Sequence, residues 1–568
     1  MTDSTAAVAS PAGASATVVP ATLQASGYAD GFARANLPPR EEWPEFRFDL
    51  PELQYPPRLN CVAELFEVAA LRGWNGRTAL VGARERLSYA QLAERVDRIA
   101  HVLRRDLNLA TGNRVLLRGA NCPMMAACIL AVIKAGCIAV PTMPLLRARE
   151  LGVIAERARV DAVLCAASLR AEVDAMGRPG LPLLLFGASA DPAAPDVPAS
   201  LEARMAGHDA PFAAPDTAAD DVCLISFTSG TTGVPKGTMH FHRDLLAICD
   251  CFPRHTLRAR ADDVFIGTPP LAFTFGLGGL LLFPLRVGAS AVLLEKPAPE
   301  TLLAAIHEHR ATVCFTAPTF YRQMAQLVQQ QAGRFDLRSL TRTVSAGEAL
   351  PVATREAWQA ATGLAMIDGI GATEMLHIFI SAAGDQVRPG ATGKPVPGYL
   401  ACILGEDGRP VGPGVVGRLA VKGPTGCRYL SDPRQRDYVV DGWNLTGDAY
   451  EMDADGYFYY RSRLDDMIIS AGYNIAGAEV EEALLRHPAV AECGVVGRQD
   501  PERGQVVEAH VVLKPGVPPT AETALALQEF VKAQIAPYKY PRLVRFREQL
   551  PRTETGKLQR FKLRTDAV

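Results

Sequence analysis

The sequence lacks a surplus of charge of either sign: 59 Lys plus Arg face 61 Asp plus Glu over 568 residues, a formal net charge of −2. A chain so balanced has nothing with which to neutralise a phosphate backbone or an anionic membrane face, so nucleic acid and membrane surfaces are not expected partners. Paired cysteines are also lacking. The 12 cysteines are scattered, none forms a C-x-x-C pair, and only Cys249 and Cys251 stand close together. That distribution suggests neither a zinc motif nor a disulfide framework, and reduced, mostly buried thiols are expected. No apolar run is long enough for a membrane span, because the most apolar stretch, 276–294, is broken by Pro284 and Arg286. The opening residues, MTDSTAAVASPAGASATVVPATLQ, carry Asp3 and no basic start, unlike a signal peptide. The expected compartment is the cytoplasm, with a disordered tail over 1–30.

What is present is the composition of a folded protein, 48% hydrophobic and 21% charged. At 60.9 kDa the chain exceeds what one hydrophobic core usually supports, so more than one domain is expected. From about residue 60 to 350, helical segments such as YAQLAERVDRIAHVLRR (89–105) alternate with β-branched runs such as RVLLRG (114–119). Alternation of this kind predicts parallel sheets with crossover helices. After Gly398 short strands are separated by Gly and Pro turns, which suits a small β-rich subdomain. Beyond Asp465 a compact α+β unit of about 100 residues follows. The fold class is therefore α/β: a large N-terminal body over 31–464, built of parallel α/β sheets plus the β-rich subdomain, then a small mobile α+β domain over 465–568.

The sharpest local feature is TSGTTGVPKG at 228–237, between the strand-like VCLISF and the helical HRDLLAICDCF. Small hydroxyl residues and glycines let backbone N–H groups and hydroxyls approach phosphate oxygens, and Lys236 supplies positive charge. Thr228, Ser229, Gly230, Thr231, Thr232 and Gly233 would form the cradle. The spacing is not that of G-x-x-x-x-G-K-[ST].

This loop resembles the signature of the adenylate-forming superfamily of acyl-CoA synthetases, carrier-protein adenylation domains and luciferases. Similar motifs follow in order: SAGEAL (345–350), DGIGATE (368–374), TGD (446–448), RLDDMIISAGYNI (463–475) and PRTETGK (551–557). The resemblance implies ATP, Mg²⁺ and coenzyme A as cofactor and substrates. It also implies that Gly347, Glu348, Asp368 and Gly369 meet the adenine, with Asp368 accepting from its amino group. Thr373 would contact the α-phosphate, and Glu374 would hold Mg²⁺, a cation that prefers oxygen donors. Asp448 would hold the ribose hydroxyls beside Arg463. Lys557 would bridge carboxylate and phosphate, delivered by rotation about Asp465, and Gly472 would line the coenzyme A path. Two positions depart from the pattern: Ile370 where an aromatic residue is common, and Ser462 where a glycine is usual.

Within the superfamily the similarity is greatest to benzoate and 2-aminobenzoate CoA ligases, through SAGEALP and DGIGATEMLHIFIS. It implies an acyl pocket lined by Thr274, Phe275, Gly371, His377 and Ile378, a flat slot suited to a planar ring. His377 has two readings, a group facing the substrate or a core histidine bonded to backbone. The stretch NLPPREEWPEFRFDLPELQYPPRLNC resembles the 2-aminobenzoate ligases more than the benzoate ligases. The expected reaction converts a small aromatic acid, 2-aminobenzoate first and benzoate next, through an acyl-adenylate to an aryl-CoA thioester. An adenylation enzyme loading a carrier protein and a non-catalytic acyl or nucleotide sensor are the alternatives; monomer and homodimer stay open.

Overall fold

The computed structural model describes residues 23–187, 200–228, 235–470, 473–500, 503–535, 537–552 and 558–565. Alternating helices and strands arise from local signals. Helix Tyr89–His101 opens with Ser88, whose hydroxyl accepts from the Gln91 amide at 3.1 Å while the Gln91 side chain accepts from the Ser88 amide at 2.9 Å. These bonds satisfy two of the donors that every helix start leaves unpaired. Leu92, Val96 and Ile99 then recur at helical spacing and are buried. Helix Pro123–Lys134 has proline at its first position, where no N–H is missed. Apolar all round, it is covered on every side, and Lys134 pairs with Asp97 of the preceding helix.

Among the described residues the strands form four sheets. One has six strands, in the order Leu183–Phe186, Ala162–Ala166, Arg114–Arg118, Ile138–Thr142, Val222–Thr228 and Lys236–Phe241. It is parallel until its last two members, which form an antiparallel hairpin. A second, of nine strands, has a parallel centre that includes Val264–Gly267, Val313–Thr316, Arg342–Ser345 and Met366–Gly371. One continuous apolar core runs through both sheets and their helices. Leu400–Leu404, Gly417–Lys422, Trp443–Met452 and Phe458–Arg463 make the antiparallel β-rich subdomain.

The C-terminal sheet pairs the long strands Val490–Asp500 and Gly504–Leu513 and adds Leu543–Phe546 in parallel. It has a core of its own, including Ile468, Val480, Val495, Val511 and Leu527. Arg322 of the body donates to the Ala491 carbonyl at 2.9 Å and pairs with Glu492 at 3.2 Å.

The stretch assigned to a tail is not uniform. Residues 1–22 lie outside the described ones, whereas 23–30 lie against the body: Gln24 donates to Asp220 at 3.1 Å, Ser26 to Asp221 at 2.5 Å, and Tyr28 to the Val222 carbonyl at 2.9 Å. Buried carboxylates on the body recruit these donors, a contact that no local pattern encodes. Among the described residues no helix is long and apolar enough to cross a membrane.

Candidate active site

Parallel strands end on one edge, and in open α/β sheets that carboxyl edge is where ligands bind. Val264–Gly267, Arg342–Ser345 and Met366–Gly371 share such an edge. The chain leaving the first carries Thr274 and Phe275, the chain leaving the second carries Gly347 and Glu348, and the third runs on into Thr373 and Glu374. Register places Ser345 beside Asp368, so two of the sequence motifs are neighbours in the sheet.

Glu374 lies in a short turn of 3-10 helix, Thr373–Met375, after which Leu376 adopts φ +70°. A left-handed leucine is costly, and here the Thr425 hydroxyl steadies the turn by donating to the Met375 carbonyl at 2.7 Å. The reversal sends the chain back as the antiparallel strand Ile378–Ser381. It leaves the Glu374 carboxylate 8% exposed. Two groups compensate it. The Tyr429 hydroxyl donates to Glu374 Oε1 at 2.5 Å, and Lys236 Nζ stands 3.6 Å from the same oxygen while donating to the Tyr429 hydroxyl at 2.7 Å. Among the described residues both contacts fall on Oε1. The Glu374 carboxylate is thus an oxygen donor of the kind Mg²⁺ takes, and the group fits the site. Burial, then the adjacent Glu374, pushes the Tyr429 hydroxyl far above its usual range, so it remains a proton donor.

Tyr429 is there because 428–430 lies beside the hairpin strand: Met239 N donates to Arg428 O and Leu430 N to Gly237 O, both at 2.8 Å. Arg428 itself is fully buried, paired with Asp244, and stacked 3.9 Å from the Phe241 ring centroid. Close by, burial and then Arg428 hold His240 down to about 3, so it stays neutral.

Asp448 and Arg463 are brought together by strand register, and their side chains meet at 3.0 Å. Arg463 also donates to the Thr446 carbonyl at 3.0 Å. Gly447 adopts φ +78°, a left-handed backbone that favours glycine. Burial pushes the Asp368 carboxyl up to about 7 against the opposing pull of Arg355 and the Gly369 amide. Glu348 accepts from the Thr319 hydroxyl at 3.0 Å, and Arg552 Nη1 lies 4.0 Å from its other oxygen. Arg552 is the residue just before 553–557, so this contact sets the start of the PRTETGK segment against the SAGEAL motif.

Thr274 starts the short helix Thr274–Leu277 and is buried, while Phe275 is half-buried. Ile378 is buried, and Gly371 has no room for a side chain, since a Cβ would meet the His377 carbonyl oxygen at 2.8 Å. His377 sits among aromatic rings, 4.4 Å from Phe283 and 5.6 Å from Phe275, with Nε2 3.4 Å from the Phe275 carbonyl. Burial holds it down to about 3. Its imidazole is therefore neutral and packed among aromatic rings.

The structure thus groups Lys236 with Glu374, Asp448 with Arg463, and Gly371 and His377 with Phe275. Ser229, Gly230, Thr231, Thr232, Gly233, Gly472 and Lys557 lie outside the described residues, as does the Asp465 side chain. Tyr429 and Arg552 were not anticipated. Tyr429 is 193 positions from Lys236 and 55 from Glu374, and no spacing rule connects them.

The AMP-binding enzyme family matches residues 66–429 and its C-terminal domain matches 479–557. The benzoate–CoA ligase of Thauera aromatica is 37% identical over 524 residues, covering 91% of this chain and 97% of its own. The crystal structure of the anthranilate CoA ligase AuaEII in complex with anthranoyl-AMP superposes with a TM-score of 0.84 at 32% identity, over 90% of this chain and 98% of that one. A benzoate CoA ligase from Burkholderia xenovorans LB400 gives 0.80 at 33% identity, over 89% of this chain and 100% of that one. The chain belongs to the AMP-binding enzyme family. Within it, the chain is an AMP-forming acid–thiol ligase.

Tyr429→Phe removes the hydroxyl between Lys236 and Glu374 and leaves the ring. ATP–pyrophosphate exchange should fall about tenfold, with a raised KM for MgATP, as expected if the carboxylate that loses this partner holds the metal; unchanged exchange would separate Tyr429 from the reaction. A second expectation concerns pH. The folded Asp368 carboxyl holds its proton up to about 7, whereas the ordinary value is 3.8, so the folded state binds the extra proton between those values and loses stability as pH rises through them. Asp368→Asn stays neutral, and its Tm relative to the wild type should climb across that window; a constant difference would contradict the buried-carboxyl account.

Proposed function

We propose that the protein is an aryl-CoA ligase that prefers 2-aminobenzoate, with benzoate and other substituted benzoates next. The observation that carries the reading is the convergence of the Lys236, Tyr429 and Glu374 group and the Phe275, Gly371 and His377 wall on one carboxyl edge. In the first half-reaction a carboxylate oxygen of the acid attacks the α-phosphorus of ATP, and the bond to the bridging β-oxygen breaks, releasing pyrophosphate. In the second, the coenzyme A sulfur attacks the acyl carbon, the acyl–phosphate bond breaks, AMP leaves, and the thiol proton passes to solvent.

Each residue answers a demand of that chemistry. Charge accumulates on the phosphate as it is attacked, and positioned cations and hydroxyls stabilise it most. Thr228, the hydroxyls and glycines of 229–233, Lys236 and Thr373 serve there. Glu374 would hold Mg²⁺, which when bound neutralises phosphate charge. Asp448 and Arg463 take the ribose, Asp368 the adenine amino group, and Lys557 the reacting oxygens in the first half-reaction. The C-terminal domain turns about Asp465 between the two steps, and Gly472 then lines the pantetheine path.

A wall without charge suits a planar ring, because the neutral His377 and the bare Gly371 leave apolar surface and little depth. The 2-aminobenzoate preference draws on the N-terminal stretch and on the likeness to the anthranilate CoA ligase.

Two measurements test this. With ATP and free coenzyme A, 2-aminobenzoate should give the highest kcat/KM, benzoate should fall within about two orders of magnitude of it, as one ring substituent allows, and fatty acids should be poorer still. A fatty acid at the top would overturn the aryl reading, and thioester formed only on a carrier protein would favour the carrier-loading alternative. Lys557→Ala should reduce adenylation by about a hundredfold or more while a preformed aryl-adenylate still reacts with coenzyme A; equal loss of both steps would remove the role assigned to that lysine.

A further inference from the structure

Cys61, Cys223 and His242 are distant in sequence, yet each offers one donor atom and the three atoms lie within 4.8 Å of one another. All three residues have 0% exposure. They come from separate elements: Cys61 opens the helix Cys61–Leu71, Cys223 lies in the strand Val222–Thr228, and His242 opens the helix His242–Asp250. The catalytic chemistry uses none of them.

Tyr28 sets the imidazole tautomer. Its hydroxyl donates to the Val222 carbonyl at 2.9 Å, so its oxygen is left to accept from His242 Nε2 at 3.3 Å. The ring proton then sits on Nε2, and the Nδ1 lone pair, which accepts a long bond from the Cys61 amide at 3.3 Å, is the one an ion would take, as in a ligating histidine whose other nitrogen is held by an outer partner. Nδ1 lies 3.3 Å from Cys61 Sγ, close to the ~3.5 Å edge of a tetrahedron built on ordinary zinc–sulfur and zinc–nitrogen bonds.

We propose that Cys61, Cys223 and His242 form a binding site for a thiophilic d10 metal ion, Zn²⁺ or Cu⁺, that ties the helices Cys61–Leu71 and His242–Asp250 to the strand Val222–Thr228. Two sulfurs and an imidazole select such ions over Mg²⁺ or Ca²⁺, which take oxygen. Binding releases the thiol protons to solvent, and the thiolate charge offsets that of the cation, as a site without water requires. The ion would be structural, since the site is closed to substrate.

The full chain, purified from cells grown with added zinc and separately with added copper, should carry about one equivalent of one of these metals by elemental mass spectrometry. The two cultures identify which ion the site takes. In Cys61→Ala with Cys223→Ala the content should fall about tenfold or more, with coenzyme A thioester formation retained. Stripping the wild type with a chelator should lower its Tm and adding the metal back should restore it, whereas the double variant should respond to neither. Metal-free wild type from both cultures would overturn the proposal. So would metal kept by the double variant, or a Cys61–Cys223 disulfide found without metal.

Discussion

A carboxylate only 8% exposed must be matched by charge or hydrogen bonds where it stands, and Glu374 is such a group. Its partners Lys236 and the Tyr429 hydroxyl join three separate stretches at one point: the hairpin strand from residue 236, the reversed turn at 373–377, and the segment 428–430, which backbone bonds hold beside that strand. The positive φ of Leu376 belongs to the same constraint, because the chain must turn sharply there to aim the carboxylate at the cation while the next strand folds back.

A gradient of polarity follows across the edge. On one side stand the paired ions Lys236 with Glu374 and Asp448 with Arg463. On the other, His377 is neutral among Phe275, Phe283 and Phe315. Ile370, where the resembling enzymes often carry an aromatic residue, keeps the surface beside Asp368 apolar without a ring to stack.

Much of the architecture was legible because it rests on short-range physics. Capping at Ser88, the 3.6-residue recurrence of Leu92, Val96 and Ile99, and the all-apolar helix Pro123–Lys134 each appear in the order of residues. The change of texture after Gly398 corresponds to an antiparallel subdomain. Legibility failed where a partner was remote. Residues 23–30 look like tail by composition, but buried Asp220 and Asp221 recruit them from almost 200 positions away. The aromatic environment of His377 comes from helices that carry Phe252, Phe275 and Phe283 and a strand that carries Phe315, so its two readings could not be separated from its neighbours in sequence.

The order of residues by itself determined the α/β class, the hydroxyl- and glycine-rich composition of 228–237, and the acidic and basic groups of the motifs, since helix periodicity, turn chemistry and side-chain charge are local properties. Only the tertiary structure decided that Tyr429 stands between Lys236 and Glu374, that Arg552 reaches Glu348, and that Cys61, Cys223 and His242 share one buried volume. The physical reason is the same in each case. Strand register and packing convert separations of tens to hundreds of residues into distances of a few ångströms, and no periodicity along the chain carries that information.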